Sequence, residues 1–201
     1  MDKGEDAAHA CQREVREEVN LDLPLEKIEQ LMTVSTPGRD PRGWTVTIAH
    51  LVYLPSRALD LVQAGDDAKD VIFVDVDFQT GKCYLEGVEL EERAFAFDHY
   101  AIIQESIKRI QGRLDWNPTF LYLLEEEFTV YEGTELVNLI NPGRPIVSNN
   151  FLVKYGEYVE EVGLKRVPKE TRKLSIEIKV RSGQSSRPLY LLLLDVFILF
   201  Q

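Results

Sequence analysis

Cysteine and histidine are scarce in this sequence, and it has no long apolar run. The 201 residues include two cysteines, Cys11 and Cys83, and three histidines. Two distant cysteines cannot form the disulfide framework of a small secreted domain or a thiolate zinc site. No stretch reaches the roughly 18 apolar residues that a membrane-spanning helix requires, and the start lacks the basic and apolar regions of a signal peptide. We therefore expect a protein of the reducing cytoplasm that does not contact membranes.

The charge of the chain is acidic overall but unevenly distributed. The net charge of −11 argues against indiscriminate binding of nucleic acid. Residues 1–95 carry 10 Lys and Arg against 20 Asp and Glu, whereas residues 164–190 carry 8 against 2. The length and the 44% hydrophobic content allow one large domain or two small ones. An acidic first half followed by a basic segment suggests a chain with two functions.

The segment Arg13–Leu21 combines an arginine with three glutamates at helical spacing. At about 100° per residue, Glu14, Glu17 and Glu18 share one arc of a short helix. Hard cations such as Mg²⁺ are bound by carboxylate oxygens, waters and substrate phosphates. The spacing therefore predicts a Mg²⁺ or Mn²⁺ site suited to pyrophosphate cleavage, whereas charge content alone favours a solvated helix with ion pairs. The adjoining apolar stripe is Ala8, Cys11, Val15 and Val19.

Together with Glu5, this segment resembles the Nudix box. The box reads Gly, five residues, Glu, seven residues, then Arg-Glu-apolar-any-Glu-Glu-any-Gly-apolar, and the residues from Glu5 to Leu21 fall in register. Asn20 stands where the family has glycine, and since asparagine tolerates left-handed backbone, we expect the helix cap to survive. The opening glycine would precede Met1, so we expect the strands that normally come before the box to be missing.

The resemblance implies a role for each matching residue. In the family, the arginine of the box orients neighbouring glutamates, a role that would fall to Arg13, and Glu5 would contribute from the loop before the helix. Glu14, Glu17 and Glu18 would bind the metal. The catalytic set that the resemblance implies is thus Glu5, Arg13, Glu14, Glu17 and Glu18.

Two predicted strands, Ile28–Thr36 and Thr45–Tyr53, flank a loop rich in proline, glycine and arginine. Turn chemistry alone favours a plain hairpin connection. The Gly-Arg-Asp-Pro-Arg-Gly run is also similar to a loop of ADP-ribose-handling Nudix proteins that lies near the substrate. That resemblance implies that Arg39 and Arg42 pair with diphosphate oxygens and that Trp44 lines the pocket.

A second unit is predicted after a strand at 71–76 and a poorly patterned hairpin or loop at 80–92. It opens with a helix over 97–114, with Asp98 as its cap, and continues with a short helix at 118–124. A capping-box helix follows from Thr129, and Ser148 caps a third helix that runs to about Val162. These helices and the β-rich, basic segment 164–180 predict a winged helix, the alternative being a small helical accessory domain.

The expected fold class is therefore α/β, a Nudix α/β/α sandwich without its first strands, followed by a winged-helix α+β domain. We expect a partial Nudix domain over 1–94, a linking helix over 95–116 and the winged-helix-like domain over 117–201. The predicted third helix would enter the major groove of DNA beside a basic hairpin. The candidate DNA-binding residues are Asn149, Asn150, Lys154, Arg172 and Lys173.

Three functions stay open at this point. The first is Mg²⁺- or Mn²⁺-dependent hydrolysis of a nucleoside diphosphate linked to another group, with ADP-ribose as the expected substrate. The second is an ADP-ribose-responsive transcriptional repressor of NAD metabolism that binds operator DNA. The third is a remnant without function. The family resemblance implies a homodimer, and the apolar run 189–200 either pairs as an edge strand or fills the surface of the missing strands.

Overall fold

The computed structural model describes residues 1–40, 43–59 and 73–162, and the backbone of 192–199. These ranges contain five α-helices, six strands and four short 3₁₀ helices. The helices are α1 (Ala7–Val19), α2 (Ser56–Leu59), α3 (His99–Arg113), α4 (Val130–Ile140) and α5 (Ser148–Tyr155). The strands are β1 (Ile28–Val34), β2 (Thr45–Val52), β3 (Asp75–Val76), β4 (Cys83–Leu85), β5 (Val88–Leu90) and β6 (Leu192–Leu199).

The main sheet is antiparallel, in the order β1-β2-β6. β1 and β2 form a hairpin whose register shifts once, between Gln30 and Met32. β6 pairs with β2 over its whole length, from Leu192 opposite Val52 to Leu199 opposite Thr45. The apolar run near the end of the sequence therefore pairs as an edge strand, and α1 contacts both β6 and β1. A second small sheet has the order β3-β4-β5.

Helices cover both faces of the main sheet. Ala49 and Leu51 of β2 belong to a large buried cluster that includes α3, whereas Val52 belongs to a separate cluster with Cys11 and Val15 of α1. Because successive strand residues point to opposite faces, α1 and α3 lie on opposite sides of the sheet. This is an α/β/α arrangement.

The helices after the sheet share its core. The cluster that contains Leu51 and Ile107 continues without a break to Phe120, Phe151 and Tyr155. Phe151 packs edge-on against Phe128, with ring centroids 6.3 Å apart, and lies 5.2 Å from Tyr155. Burial of apolar surface thus joins residues on both sides of the expected boundaries near 95 and 117, and those boundaries remain predictions.

Several predicted elements are confirmed to within two residues. Both strands of the hairpin begin where the pattern places them, and the long helix begins at His99. Thr129 and Glu132 form both hydrogen bonds of a capping box at the start of α4. Asn20 ends α1 in the left-handed conformation, with φ 54° and ψ 41°, as asparagine permits.

Other predictions need correction. The third helix of the second unit ends at Tyr155 rather than near Val162, and Val147, not Ser148, occupies its cap position. Asp98 does occupy the N-cap position of α3, but its side chain makes no capping hydrogen bond. Of the strand expected at 71–76, residues 73–76 are described, and the strand there is limited to Asp75–Val76. The basic segment 164–180 lies outside the described residues, so the winged helix remains a prediction.

Among the described residues, no helix combines the length and the apolar character that crossing a bilayer demands.

Candidate functional site

The glutamate-rich helix α1 is fixed at both ends. At its start the Asp6 carboxylate accepts a hydrogen bond from the backbone N–H of His9, which satisfies one free donor of the first turn. At its end the backbone N–H of Asn20 donates to the carbonyl of Arg16. Cys11 and Val15 are fully buried against the sheet. The glutamates between them are therefore held on the neighbouring, more exposed arc.

Arg13 lies at the centre of an ionic network on this helix. Its Nε donates to Glu5 Oε1 at 3.1 Å, its Nη2 lies 2.7 Å from Glu14 Oε1, and its Nη1 donates to Glu17 Oε2 at 2.8 Å. The hydrogen bond from Arg13 lowers the pKa of Glu5, and the same partners raise the pKa of Arg13. The guanidinium of Arg13 thus contacts three of the carboxylates that match the Nudix box.

Cys11 lies beneath the acidic arc of α1. Burial, together with the negative charges of Glu14 and Glu18, raises the pKa of the Cys11 thiol to about 12. Glu14 and Glu18 are four residues apart and therefore lie on the same side of α1. A thiol with so high a pKa stays protonated at neutral pH and is not a nucleophile.

The donor chemistry of α1 fits a hard divalent cation. Glu5, Glu14 and Glu17 together carry three negative charges against the single positive charge of Arg13, and such an excess is costly without a further cation. Across the described residues, however, no three His, Cys, Asp or Glu side chains stand in an arrangement ready to hold a metal. Glu14 and Glu17 instead form ion pairs with the guanidinium of Arg13.

The arginine of the loop between β1 and β2 is already paired. Arg39 donates through Nε to Asp98 Oδ2 at 2.8 Å and through Nη2 to Oδ1 at 2.6 Å, and it also donates to the hydroxyl of Thr47. Its side chain is only 4% exposed. These contacts join Arg39 to Thr47 of β2 and to Asp98, the residue before α3. The role of Arg39 as a diphosphate ligand stays a prediction, and Arg42 lies outside the described residues.

A surface cleft of about 330 Å³ lies at this loop. Trp44 is one of the residues around the cleft and is 74% exposed, and its role in a substrate pocket stays a prediction. Gly38 has φ +78°, a left-handed backbone conformation that is strained for most residues with a side chain. A Cβ added at Gly38 would have no atom within 4 Å. The described lining residues are Thr36, Pro37, Gly38, Arg39, Asp40, Gly43, Trp44 and Thr45.

Glu29 of β1 forms a second ionic junction that the sequence pattern did not reveal. Arg109 Nη1 lies 2.7 Å from Glu29 Oε1, Arg113 Nη1 lies 2.9 Å from Oε2, and the Tyr53 hydroxyl donates to Oε2 at 3.0 Å. The hydroxyl of Thr119 in turn donates to that of Tyr53. These contacts connect α3 and the following 3₁₀ turn to the main sheet. No sequence signal marks it, because its members are up to 90 residues apart.

The described candidate DNA-binding residues all lie on α5. Asn149 and Asn150 are exposed in its first turn. Lys154 pairs with Asp115 at 2.5 Å, and its ammonium lies 5.3 Å from the centroid of the Tyr155 ring. Arg172 and Lys173 lie outside the described residues. Asn149 and Asn150 are thus both exposed to solvent, whereas Lys154 forms an ion pair within the chain.

Comparison with known proteins gives several related chains. No protein-family model matches the sequence. Among curated proteins, an ADPR responsive transcriptional repressor, NtrR of Acinetobacter baylyi, is 24% identical over 131 residues. That match covers 65% of this chain but only 45% of the repressor, so the chain corresponds to less than half of this relative's length.

Two crystal structures of NrtR from Shewanella oneidensis share the fold. The free protein superposes with a TM-score of 0.59 at 20% identity, covering 88% of this chain and 75% of that one. The complex with a 27mer DNA superposes with a TM-score of 0.58 at 23% identity, covering 83% of this chain and 69% of that one. At these identities the likeness concerns the fold alone.

A stronger match comes from Enterococcus faecalis. The crystal structure of a MutT/nudix family protein from that organism superposes with a TM-score of 0.68 at 30% sequence identity, and the match covers 81% of this chain and 67% of that one. The box spacing on α1, the α/β/α arrangement and this similarity agree. The chain belongs to the MutT/Nudix family and has its α/β fold.

Proposed function

We propose that this protein is a Nudix-type hydrolase that cleaves the diphosphate of a nucleoside diphosphate linked to another group, with ADP-ribose as the expected substrate and Mg²⁺ or Mn²⁺ as the expected cofactor. The observation that carries the proposal is the set of contacts from Arg13 to Glu5, Glu14 and Glu17. These residues occupy the charged positions of the box, and membership of the family gives that spacing its chemical meaning.

The residues of α1 would have different roles, some in binding the cation and others in positioning the carboxylates. Glu14, Glu17 and Glu18 would hold the cation, which when bound supplies a Lewis acid for the diphosphate oxygens. Arg13 would hold Glu5 and its neighbours in place, since a planar guanidinium fixes carboxylates at defined positions. The buried Cys11 and Val15 anchor this arc to the sheet, so that the carboxylates move little relative to the fold.

The test is product analysis with matched variants. Incubation of the chain with ADP-ribose and Mg²⁺ is expected to release AMP and ribose 5-phosphate, separated by chromatography. Glu17→Gln removes one charge without changing shape and is expected to reduce kcat by a factor of about 100. Glu26→Gln, an exposed glutamate outside the box, serves as the control and should leave the rate unchanged. Absence of AMP from the unaltered chain would defeat the proposal.

A second candidate function is DNA binding that responds to the same class of ligand. It is favoured by the exposed pair Asn149 and Asn150 at the start of α5 and by the basic composition of residues 164–190. In this candidate the chain binds operator DNA as a homodimer, and ligand binding changes the affinity. Such coupling requires that the ligand binds the two arrangements with different affinity.

Gel-shift experiments test this second candidate. Promoter DNA is titrated with the protein at low salt, with and without ADP-ribose, since phosphate contacts weaken as salt rises. The paired variant Asn149→Ala with Asn150→Ala is expected to weaken binding, and Glu157→Gln, on the turn after α5, is the control. A chain that shifts no DNA at low salt would remove this candidate without affecting the hydrolase proposal.

A further inference from the structure

The surface of α3 carries a shallow groove of about 290 Å³, which we call the α3 groove. Because α3 and α1 lie on opposite faces of the main sheet, the groove is separate from the glutamates of the Nudix box. No described lining residue is common to this groove and the cleft at the loop between β1 and β2. The described lining residues are Glu105, Lys108, Arg109, Gly112, Arg113 and Trp116.

The α3 groove is positively charged, although the chain as a whole has a net charge of −11. Lys108, Arg109 and Arg113 contribute three positive charges. Two carboxylates oppose them, that of Glu105 beside Lys108 and that of Glu29 behind the arginines. The side chain of Lys108 is 71% exposed, and its Nζ lies 3.5 Å from the Glu105 carboxylate. An exposed ion pair of this length is weak, so the ammonium of Lys108 is available to another anion.

Contacts with the main sheet hold the two arginines in place. Arg109 Nη1 lies 2.7 Å from Glu29 Oε1, and its Nη2 donates to the carbonyl of Leu31 at 2.7 Å. Arg113 Nη1 lies 2.9 Å from Glu29 Oε2. A guanidinium has five N–H donors, more than these contacts use. Since both side chains are already ordered, they lose little conformational entropy when they bind a further anion.

Trp116 places an aromatic ring at the end of the groove. Its indole Nε1 donates to the carbonyl of Gly112 at 2.9 Å, and the Arg113 guanidinium lies 5.3 Å from the ring centroid. These two contacts orient the ring, although the residue is 62% exposed. The groove therefore combines cationic donors with an apolar surface of defined orientation.

Gly112 lies between the cationic side chains and Trp116. Glycine is less favourable than alanine within a helix, and Gly112 is not one of the glycines with positive φ that would require it. A Cβ added at Gly112 would meet no atom within 4 Å, so packing inside the chain does not require glycine either. The added Cβ would stand in open space at the groove. A glycine at this position is explained if a bound molecule approaches the helix backbone closely.

We infer that the α3 groove binds a small phosphate monoester, with its phosphate at Lys108, Arg109 and Arg113 and its organic part against Trp116. A phosphate monoester carries about 1.5 to 2 negative charges at neutral pH, and arginine forks and lysine are its usual partners in proteins. Three cationic side chains suit such an anion better than a single carboxylate. The volume is close to the lower limit of ligand clefts, which favours a molecule no larger than a mononucleotide.

This inference goes beyond the proposed hydrolysis and does not depend on it. AMP and ribose 5-phosphate, the expected products of that reaction, are both phosphate monoesters. The groove, however, lies on the face of the sheet opposite the proposed metal site, so it would be a second site and not part of the first.

Tryptophan fluorescence provides a local test. The chain has two tryptophans, so Trp44→Phe leaves Trp116 as the single tryptophan reporter. Ribose 5-phosphate is titrated into this variant with EDTA present, which removes any divalent cation from α1. We expect a saturable change in the fluorescence of Trp116. Ribose, which lacks the phosphate, should cause no change.

Two further substitutions in the Trp44→Phe chain test the groove itself. Gly112→Ala places a methyl group in the groove and should weaken the binding of ribose 5-phosphate at least about fivefold. It should not lower Tm, because alanine favours helix. Lys108→Gln should weaken binding about three- to fivefold. The control is Lys82→Gln, which removes another exposed lysine paired with a glutamate, outside the groove, and should bind as the Trp44→Phe chain does.

Three results would overturn the inference. The first is an unchanged Trp116 signal at millimolar ribose 5-phosphate, and the second is an equal response to ribose. The third is an affinity that Gly112→Ala leaves unaltered, or that Lys82→Gln reduces as much as Lys108→Gln does. A chain that binds ribose 5-phosphate here but releases no AMP from ADP-ribose would defeat the hydrolase proposal alone. A chain that releases AMP without any response of Trp116 would defeat this inference alone.

Discussion

Arg39 and Asp98 form a two-pronged ion pair between residues 59 positions apart, with nitrogen to oxygen distances of 2.8 and 2.6 Å. The pair ties the turn after β1 to the first residues of α3. The Arg39 side chain is 4% exposed and that of Asp98 is 24% exposed. Because the cation is almost wholly buried, the carboxylate is needed to offset the loss of its hydration.

Replacing Asp98 with asparagine should therefore destabilise the fold. Asp98→Asn leaves the buried guanidinium without its counter-charge, and we expect the free energy of unfolding to fall by about 3 kcal/mol. The measurement is urea denaturation at pH 7. Asp115→Asn breaks the exposed pair with Lys154 near the other end of α3 and should cost less than about 1 kcal/mol. Similar losses for the two variants would contradict this account.

The same pair predicts a dependence on pH. The hydrogen bond from Arg39 lowers the pKa of Asp98 below its ordinary value. A carboxyl whose pKa is lower in the folded state stabilises the protein above its unfolded pKa, about 4, and loses this contribution as the pH falls through the folded value. The stability difference between the unaltered chain and Asp98→Asn should therefore shrink below about pH 4. A difference that stays constant from pH 7 to pH 2 would show that the charge of Asp98 contributes nothing.

Gly133 permits the close approach of α4 and α5. A Cβ at this position would overlap the ring of Phe151. Gly133→Ala should reduce the free energy of unfolding by about 1 to 3 kcal/mol, since inserting an atom into a packed core forces the helices apart. The control is Gly112→Ala in α3, where nothing lies within 4 Å of an added Cβ. There we expect a neutral or slightly stabilising effect, because alanine favours helix.

Asn20 ends α1 with φ 54°. Asn20→Ala should destabilise the protein by about 1 kcal/mol, because a Cβ without a local hydrogen bond disfavours this conformation. Asn20→Gly should restore or exceed the original stability, since glycine adopts it freely. Chemical denaturation measures both. If alanine and glycine had the same effect, the left-handed cap would not be what matters here.

Local patterns in the sequence were sufficient for much of this fold. Apolar strand patterns located β1 and β2, with alternation in β2, and the Thr129–Glu132 spacing located the start of α4. Each of these signals lies within a few consecutive residues, so no knowledge of tertiary structure was required. The Nudix box spacing likewise predicted α1, and the family membership that it suggested is confirmed.

The partners of the candidate site residues could not be predicted in the same way. Asp98 was expected to cap α3, and its pairing with Arg39 depends on how the turn and the helix come together in three dimensions. The same applies to Glu29, which receives Arg109 and Arg113 from a helix about 80 residues later.

Calorimetric titration with Mn²⁺ tests whether the glutamates of α1 bind a divalent cation. We expect a saturable heat of binding for the unaltered chain. In the double variant Glu14→Gln with Glu17→Gln the affinity should fall by at least about tenfold. Absence of binding by the unaltered chain, or equal affinity in the double variant, would contradict it.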